Sequence, residues 1–308
     1  LGAGEDSPTI LMPALEREPV CSATFPDPDP AHCGTQSAGL LLRDALMLKL
    51  RAGAGPFRSF GNIAVEPRAY QLVPLMMALK LPAIRLLVAD DVGIGKTIEA
   101  GLIAREMLDR GEIHQFTVLC PPHLCEQWQR ELQNRFHIQA EVVRSSTAAR
   151  LERGLAAGSS VFSEYPFTVV SLDYIKSKAR RDAFAEQCPG FVIVDEAHTC
   201  SRTGQGRQQR YELLKQLAAK EDRHMVLLTA TPHSGDEEAF YNLLALLKPA
   251  FGALKDVTNA DHPLRKQLAE HFVQRRRQDI REWQEGSLFP ERLTAEATYK
   301  LTGEWNAI

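Results

Sequence analysis

The 308-residue chain carries 36 basic and 39 acidic residues, a net charge of −3, and 44% of it is hydrophobic. That balance excludes a disordered polypeptide. No run reaches the roughly 18–20 apolar residues of a membrane span, and no apolar signal segment opens the chain, so a cytoplasmic globular protein with no membrane partner is expected. Six cysteines without a CxxC pair or zinc-like spacing fit a set of reduced thiols.

Charge is unevenly spread. Residues 1–40 hold six acids against Arg17 alone, a balance of −5, which leaves +2 for the remainder. Residues 1–37, with the run EPVCSATFPDPDPAHCG, read as an acidic Pro-rich arm that sustains neither helix nor central strand. The arm is a plain disordered or docking segment, or else a strip covering a basic groove. The run AGLLLRDALMLKLR (38–51) reads as helical until the glycines of AGAGPF break it.

A strand–helix rhythm then begins. Apolar runs of strand length fall at IRLLVAD (84–90), FTVLC (116–120), FTVVS (167–171), FVIVD (191–195) and HMVLLTA (224–230). Between most of them lie amphipathic stretches such as IEAGLIAREMLDR, which Gly111 closes, and HLCEQWQRELQNRF. Strands apolar at consecutive positions and alternating with helices predict an α/β fold, a parallel sheet covered by helices on both faces, across 38–250. Residues 251–308 lose the rhythm and predict a helical appendage.

The strand IRLLVAD runs into DVGIGKT and then a helix, the context a phosphate-binding loop needs. Its glycines turn backbone N–H groups toward a polyphosphate, and the helix presents its positive end. Asp91, Val92, Gly93, Ile94 and Gly95 form the loop, Lys96 reaches the β- and γ-phosphates, and Thr97 sits on magnesium. Asp90 stands where the strict pattern has its first glycine, and a tight strand–helix turn is the plainer alternative. The run FVIV followed by Asp195, Glu196, Ala197 and His198 places two acids at a strand's carboxyl end, where open parallel sheets bind ligands. Asp195 suits magnesium, and Glu196 suits orienting and deprotonating water. A solvated helix cap is the structural alternative. In LLTATPHSG (227–235), Thr229 and Thr231 offer hydroxyls near His198 for relaying phosphate occupancy, or they cap the next helix.

In order, EPRAYQ (66–71), DDVGIGKTIEAG, VLCPPHLCEQW (118–128), TVVSLDYIK (168–176), DEAH, LTATP and FVQRRRQDI (272–280) resemble the motifs of superfamily-two helicase-type ATPases of the Swi/Snf-like branch. The Asp90-Asp91 pair is typical of that branch, whereas Arg277-Gln278 departs from the threonine and lysine often found there. The resemblance implies a RecA-like P-loop domain, ATP and Mg as cofactors, and double-stranded DNA as partner. It places Gln71, with Arg68 beside it, on adenine. It places Pro122, His123 and Ser171 on the nucleic-acid backbone, with Arg275 and Arg276 either tracking phosphates or forming a solvated face. The plainer readings are an ordinary helix N-terminus for His123 and a strand-end cap for Ser171.

Within the branch, GKTIEAGLIARE looks bacterial. LCPPHLCEQW leans toward the Swi/Snf-like subunits of the DISARM anti-phage system, with other defence-complex subunits as partners, rather than toward RNA-polymerase-recycling ATPases. Motors of this branch need a second RecA-like lobe supplying arginine fingers. No second strand–helix array follows residue 251, so a nucleotide half-site with little turnover by itself is expected. A nucleotide-gated binding module without hydrolysis is the rival from another class. An RNA helicase is disfavoured because its loop more often reads TGSGKT.

Overall fold

The computed structural model describes residues 34–43, 57–156, 159–200, 205–231, 237–259 and 261–280. The acidic arm, most of the 38–51 run and residues 281–308 therefore lie outside the described residues, apart from a helical segment at 36–43.

The described strands form one parallel seven-stranded sheet in the order β3-β4-β2-β5-β6-β1-β7. They are β1 (Arg85–Val88), β2 (Phe116–Cys120), β3 (Glu141–Val143), β4 (Phe167–Ser171), β5 (Phe191–Val194), β6 (His224–Leu228) and β7 (Phe272–Val273). Five coincide with the five apolar runs. The order explains why those runs read as continuously apolar: β4, β2, β5, β6 and β1 are interior strands, covered on both faces.

Alternate residues of each strand enter different cores. Leu86, Val88, Val118, Ile193, Val226 and Leu228 face one side and pack against the helices Leu72–Leu79, Lys96–Asp109 and Cys125–Phe136. Leu87, Leu119, Val170, Val192, Val194 and Leu227 face the other and meet the helices Lys178–Gln187, Gln205–Ala218 and Glu237–Leu247. Trp128 and Phe136, each at most 2% exposed, are among the largest anchors of the first core, and each buried aromatic of this size contributes about 3 kcal/mol. The helix Lys96–Asp109 lies so close to Phe136 that a Cβ on Gly101 would overlap its ring. Its end is punctuated as the sequence implies, with Gly111 at φ +72° donating its N–H to the Leu108 carbonyl.

The described part of 251–308 is helical at Pro249–Asp256, Pro263–Leu268 and Arg277–Ile280, but it also returns to the sheet. β7 pairs in parallel with β1 through Leu87–Phe272 and Val88–Val273. The stretch expected as a helical appendage thus also supplies an edge strand. A two-residue edge strand has no periodicity to read, and three-residue β3 escapes for the same reason.

Register aligns the carboxyl ends of the strands. Asp195 N–H donates to the Leu119 carbonyl (2.8 Å), and Thr229 N–H donates to the Val88 carbonyl (3.0 Å). The segments 90–97, 121–124, 195–198, 229–231 and 274–277 are thereby brought to one edge.

Candidate nucleotide site

Gly93 and Gly95 take left-handed φ values of +87° and +112°, which a Cβ disfavours. At Gly95 a Cβ would also collide with the Gln71 carboxamide. Ile94 between them is buried and Val92 at the tip is exposed. Lys96 opens the following helix, and its ammonium donates to the carbonyls of Asp90 (2.6 Å) and Asp91 (3.2 Å). Burial draws its pKa down from the ordinary lysine value, against an upward pull from Asp90, Glu196, Asp195 and Glu99. Thr97 lies partly buried in the first helical turn.

Gln71 is buried, and its amide is engaged with the protein. It donates to the Ile94 carbonyl (3.1 Å) and accepts from Arg68 N–H (3.0 Å), while the Tyr70 hydroxyl shares the same Ile94 carbonyl (3.3 Å). A bidentate contact with adenine would require both Gln71 bonds to open, so in this structure the residue braces the loop. The Arg68 side chain is exposed beside it.

Beyond β5, Asp195 is buried. Its Oδ2 accepts from Trp128 Nε1 (2.8 Å) and its Oδ1 from Glu196 N–H (2.8 Å). Burial raises its pKa, with these two hydrogen bonds opposing. Glu196 is a left-handed non-glycine residue, φ +50°, a backbone cost that concentrates at functional positions. Its Oε2 lies 3.2 Å from His198 Nδ1, and that contact is the main cause holding its carboxyl below the ordinary value. The same Nδ1 is 3.1 Å from Thr229 Oγ1, which in turn accepts Thr231 N–H (3.2 Å). Glu196, His198, Thr229 and Thr231 thus form one polar chain joining the ends of β5 and β6.

The residues expected on nucleic acid divide. Pro122 and His123 occupy a turn after β2, with His123 exposed and close enough to Glu196 to lower its pKa. Ser171 is 1% exposed, and its Oγ accepts Asp173 N–H (3.2 Å), so it is a strand-end cap and its hydroxyl is not offered to phosphates. Arg275 is corrected as well. Its guanidinium turns inward onto Asp90, Glu99 and the Tyr70 carbonyl, because two buried carboxylates demand a cation. Arg276 is exposed, with its N–H on Asp279 Oδ2 (2.7 Å).

Sequence reasoning missed Trp128, Tyr70 and Glu99. Trp128 stands in a quoted motif, but nothing in the sequence says that its indole N–H reaches Asp195. Glu99 reads as an ordinary first-turn acid, yet it is fully buried and its carboxyl is pushed up to about 8 by burial and by Asp90.

ATP and magnesium suit these residues. The helix start, the Lys96 ammonium and the Thr97 hydroxyl are phosphate- and metal-seeking groups, and Asp195 is a carboxylate whose burial a nearby cation would offset. Among the described residues no cluster of three or more His, Cys, Asp or Glu side chains is placed to hold a metal. Magnesium itself takes one or two protein ligands, with phosphates and water completing its shell. No described helix is long and apolar enough to cross a membrane.

The model of the SNF2-related domain matches residues 69–272. The chain is 34% identical over 165 residues to an uncharacterized ATP-dependent helicase, YqhH, of Bacillus subtilis (strain 168), covering 54% of this chain and 26% of that protein. It is 32% identical over 166 residues to the RNA polymerase-associated protein RapA of Yersinia pestis (strain Pestoides F), covering 54% of this chain and 17% of RapA. The chain thus spans about a quarter or less of these curated relatives. Among solved structures, the SWI2/SNF2 ATPase core of Sulfolobus solfataricus superposes with a TM-score of 0.53 at 18% identity, covering 72% of this chain and 46% of that one. The same core in complex with dsDNA gives 0.52 at 17% identity, covering 70% and 45%. These likenesses establish the RecA-like α/β fold.

Proposed function

Because the chain belongs to the SNF2-related domain family, we propose that it is the ATP-binding first lobe of a motor that moves along double-stranded DNA, with hydrolysis completed by a second RecA-like lobe. The observation that carries this reading is the convergence of the loop 90–97 and the acids 195–196 on one sheet edge, with the His198–Thr229 link between two strand ends. In this reading the lobe extends past Val273 instead of ending at 250, which the membership of β7 in the sheet supports.

In this reading the loop N–H groups and Lys96 orient the triphosphate, while Thr97 and Asp195 would hold magnesium, which would supply charge neutralisation at the phosphates. Glu196, kept ionised by His198, orients water and accepts its proton. His198 and Thr229 carry the loss of the γ-phosphate to Thr231 at the exposed edge. Trp128 fixes the Asp195 carboxylate. Pro122, His123 and Arg276 remain the groups offered to a nucleic-acid backbone, and the solved neighbour bound to dsDNA favours a duplex.

Two biological settings compete. RNA-polymerase recycling has the RapA relatives behind it, and anti-phage defence alongside other subunits rests on the run LCPPHLCEQW. Phage-plating efficiency and transcription recycling in a deletion strain distinguish them. The motor reading is tested by ATP turnover of this chain and of a two-lobe form, each with and without duplex DNA. DNA-stimulated turnover confined to the two-lobe form, and lost in Lys96→Ala and Glu196→Gln, is expected. Absence of turnover in both forms, with nucleotide-dependent binding retained, would replace the motor by a gated binding module.

A further inference from the structure

We infer that Arg275 is the positioning residue that sets the shape of the phosphate loop, joining both ends of that loop to the segment following β7. The inference deepens the proposed nucleotide site and rests on it for its functional meaning. Its geometric basis is independent.

Asp90 is the second residue after β1, and Glu99 lies in the first turn of the helix that follows the loop, so the two carboxylates bracket the whole of 91–98. Both are fully buried. Arg275 serves them together. Its backbone N–H (2.9 Å) and Nε (3.2 Å) donate to Asp90 Oδ1, one terminal nitrogen reaches Asp90 Oδ2 and Glu99 Oε1, and the other reaches the Tyr70 carbonyl. A guanidinium is the one side chain whose fixed fork can bind two carboxylates and a carbonyl at once, and a lysine cannot reproduce that pattern.

Neighbouring contacts act in the same sense. Asp91 N–H donates to the Arg275 carbonyl (3.1 Å), Arg277 N–H donates to Asp91 Oδ2 (3.1 Å), and the Arg277 guanidinium donates to the Val92 carbonyl (2.8 and 3.1 Å). Ile280, from the short helix beyond, closes a small apolar cluster with Tyr70 and Ile94. The loop is therefore shaped by partners about 185 residues away as well as by its own glycines. Arg275 sits behind the loop, where it fixes the direction of the N–H groups without touching a phosphate.

The test compares the 308-residue chain with Arg275→Lys, which keeps the charge and loses the fork, and with Asp90→Asn/Glu99→Gln/Arg275→Met, which removes all three ionisable groups. Hydrogen exchange of the amides 91–97 is read without nucleotide, alongside the melting temperature and the affinity for a fluorescent ATP analogue. In both variants the loop amides are expected to exchange about tenfold faster or more, and affinity to fall by about tenfold or more, while the melting temperature stays near that of the parent in the neutralised variant. Parental exchange and parental affinity in Arg275→Lys would overturn the inference. So would full recovery of both in the neutralised variant, since Arg275 would then merely balance charge. A parent chain that binds no nucleotide would sink the proposed function instead, and the exchange measurement would still decide the role of Arg275.

Discussion

The two edges of the sheet bury charge in opposite ways. At the amino edge the buried charges are cations facing neutral carbonyls. Arg85, 7% exposed, donates to the carbonyls of Leu246 (3.2 Å), Ala218 (3.1 Å) and Lys220 (2.6 Å), and Arg223 donates to those of Leu217 (3.3 Å) and Cys188 (3.1 Å). These carbonyls lie at or near helix carboxyl ends, where positive charge is favoured, so the arrangement stabilises the fold. At the carboxyl edge the buried ionisable groups are mostly acids: Asp90, Glu99 and Asp195 against Arg275 and the partly buried Lys96. There the backbone is left-handed at Gly93, Gly95 and Glu196, and acid pKa values are displaced in both directions. Buried charge thus meets helix ends at the amino edge, whereas at the carboxyl edge buried acids crowd around two cations, an arrangement typical of functional sites.

The sharpest way to break this contrast is Lys96→Ala. It is expected to lower DNA-stimulated turnover of the two-lobe protein by about three orders of magnitude or more while moving the melting temperature of this chain by no more than about 2 °C. Glu196→Gln is expected to cut turnover by about 10²- to 10⁴-fold and to leave nucleotide affinity in place, a separation that single-turnover and binding measurements can make. At the other edge Arg85→Met should do the reverse. It leaves several buried carbonyls without a donor and should cost about 3 kcal/mol in chemical denaturation, with nucleotide affinity of the folded protein unchanged.

A pH series sharpens the picture further. Burial and the neighbouring Asp90 push the Glu99 carboxyl up to about 8 from an ordinary 4.5, so the folded state holds a proton there that the unfolded chain releases. Its contribution to stability is complete below about 4.5 and is lost as pH rises toward about 8. Melting temperatures across that window should fall with pH in the parent and fall less steeply in Glu99→Gln. The smallest effect is reserved for Ser171→Ala, which removes one cap bond and should cost under about 1 kcal/mol without altering duplex-DNA affinity.

Much of this was legible in the sequence because the interior strands are continuously apolar and the chemical residues follow them directly. IRLLVAD and FVIVD announce both the sheet and the edge at which Lys96 and Asp195 meet. The His198–Thr229 contact was also readable, since both residues follow strands that end at the same level. The inward turn of Arg275 was not. A triple arginine run looks like a solvated face, and only the burial of two distant carboxylates reverses that reading. For Ser171 a phosphate contact and a strand-end cap both stayed open in the sequence, because sequence position fixes the strand end but not which way a short hydroxyl turns. β3 and β7 stayed hidden because three and two residues carry no period.

The central claim, that the edge formed by 90–97 and 195–198 is a magnesium–nucleotide site, is tested most directly by titrating this chain with a fluorescent ATP analogue, with and without magnesium, beside Lys96→Ala. Saturable binding that tightens with magnesium and disappears in the variant is the expected result. Binding indifferent to both magnesium and Lys96, or no binding by a folded parent chain, would contradict it.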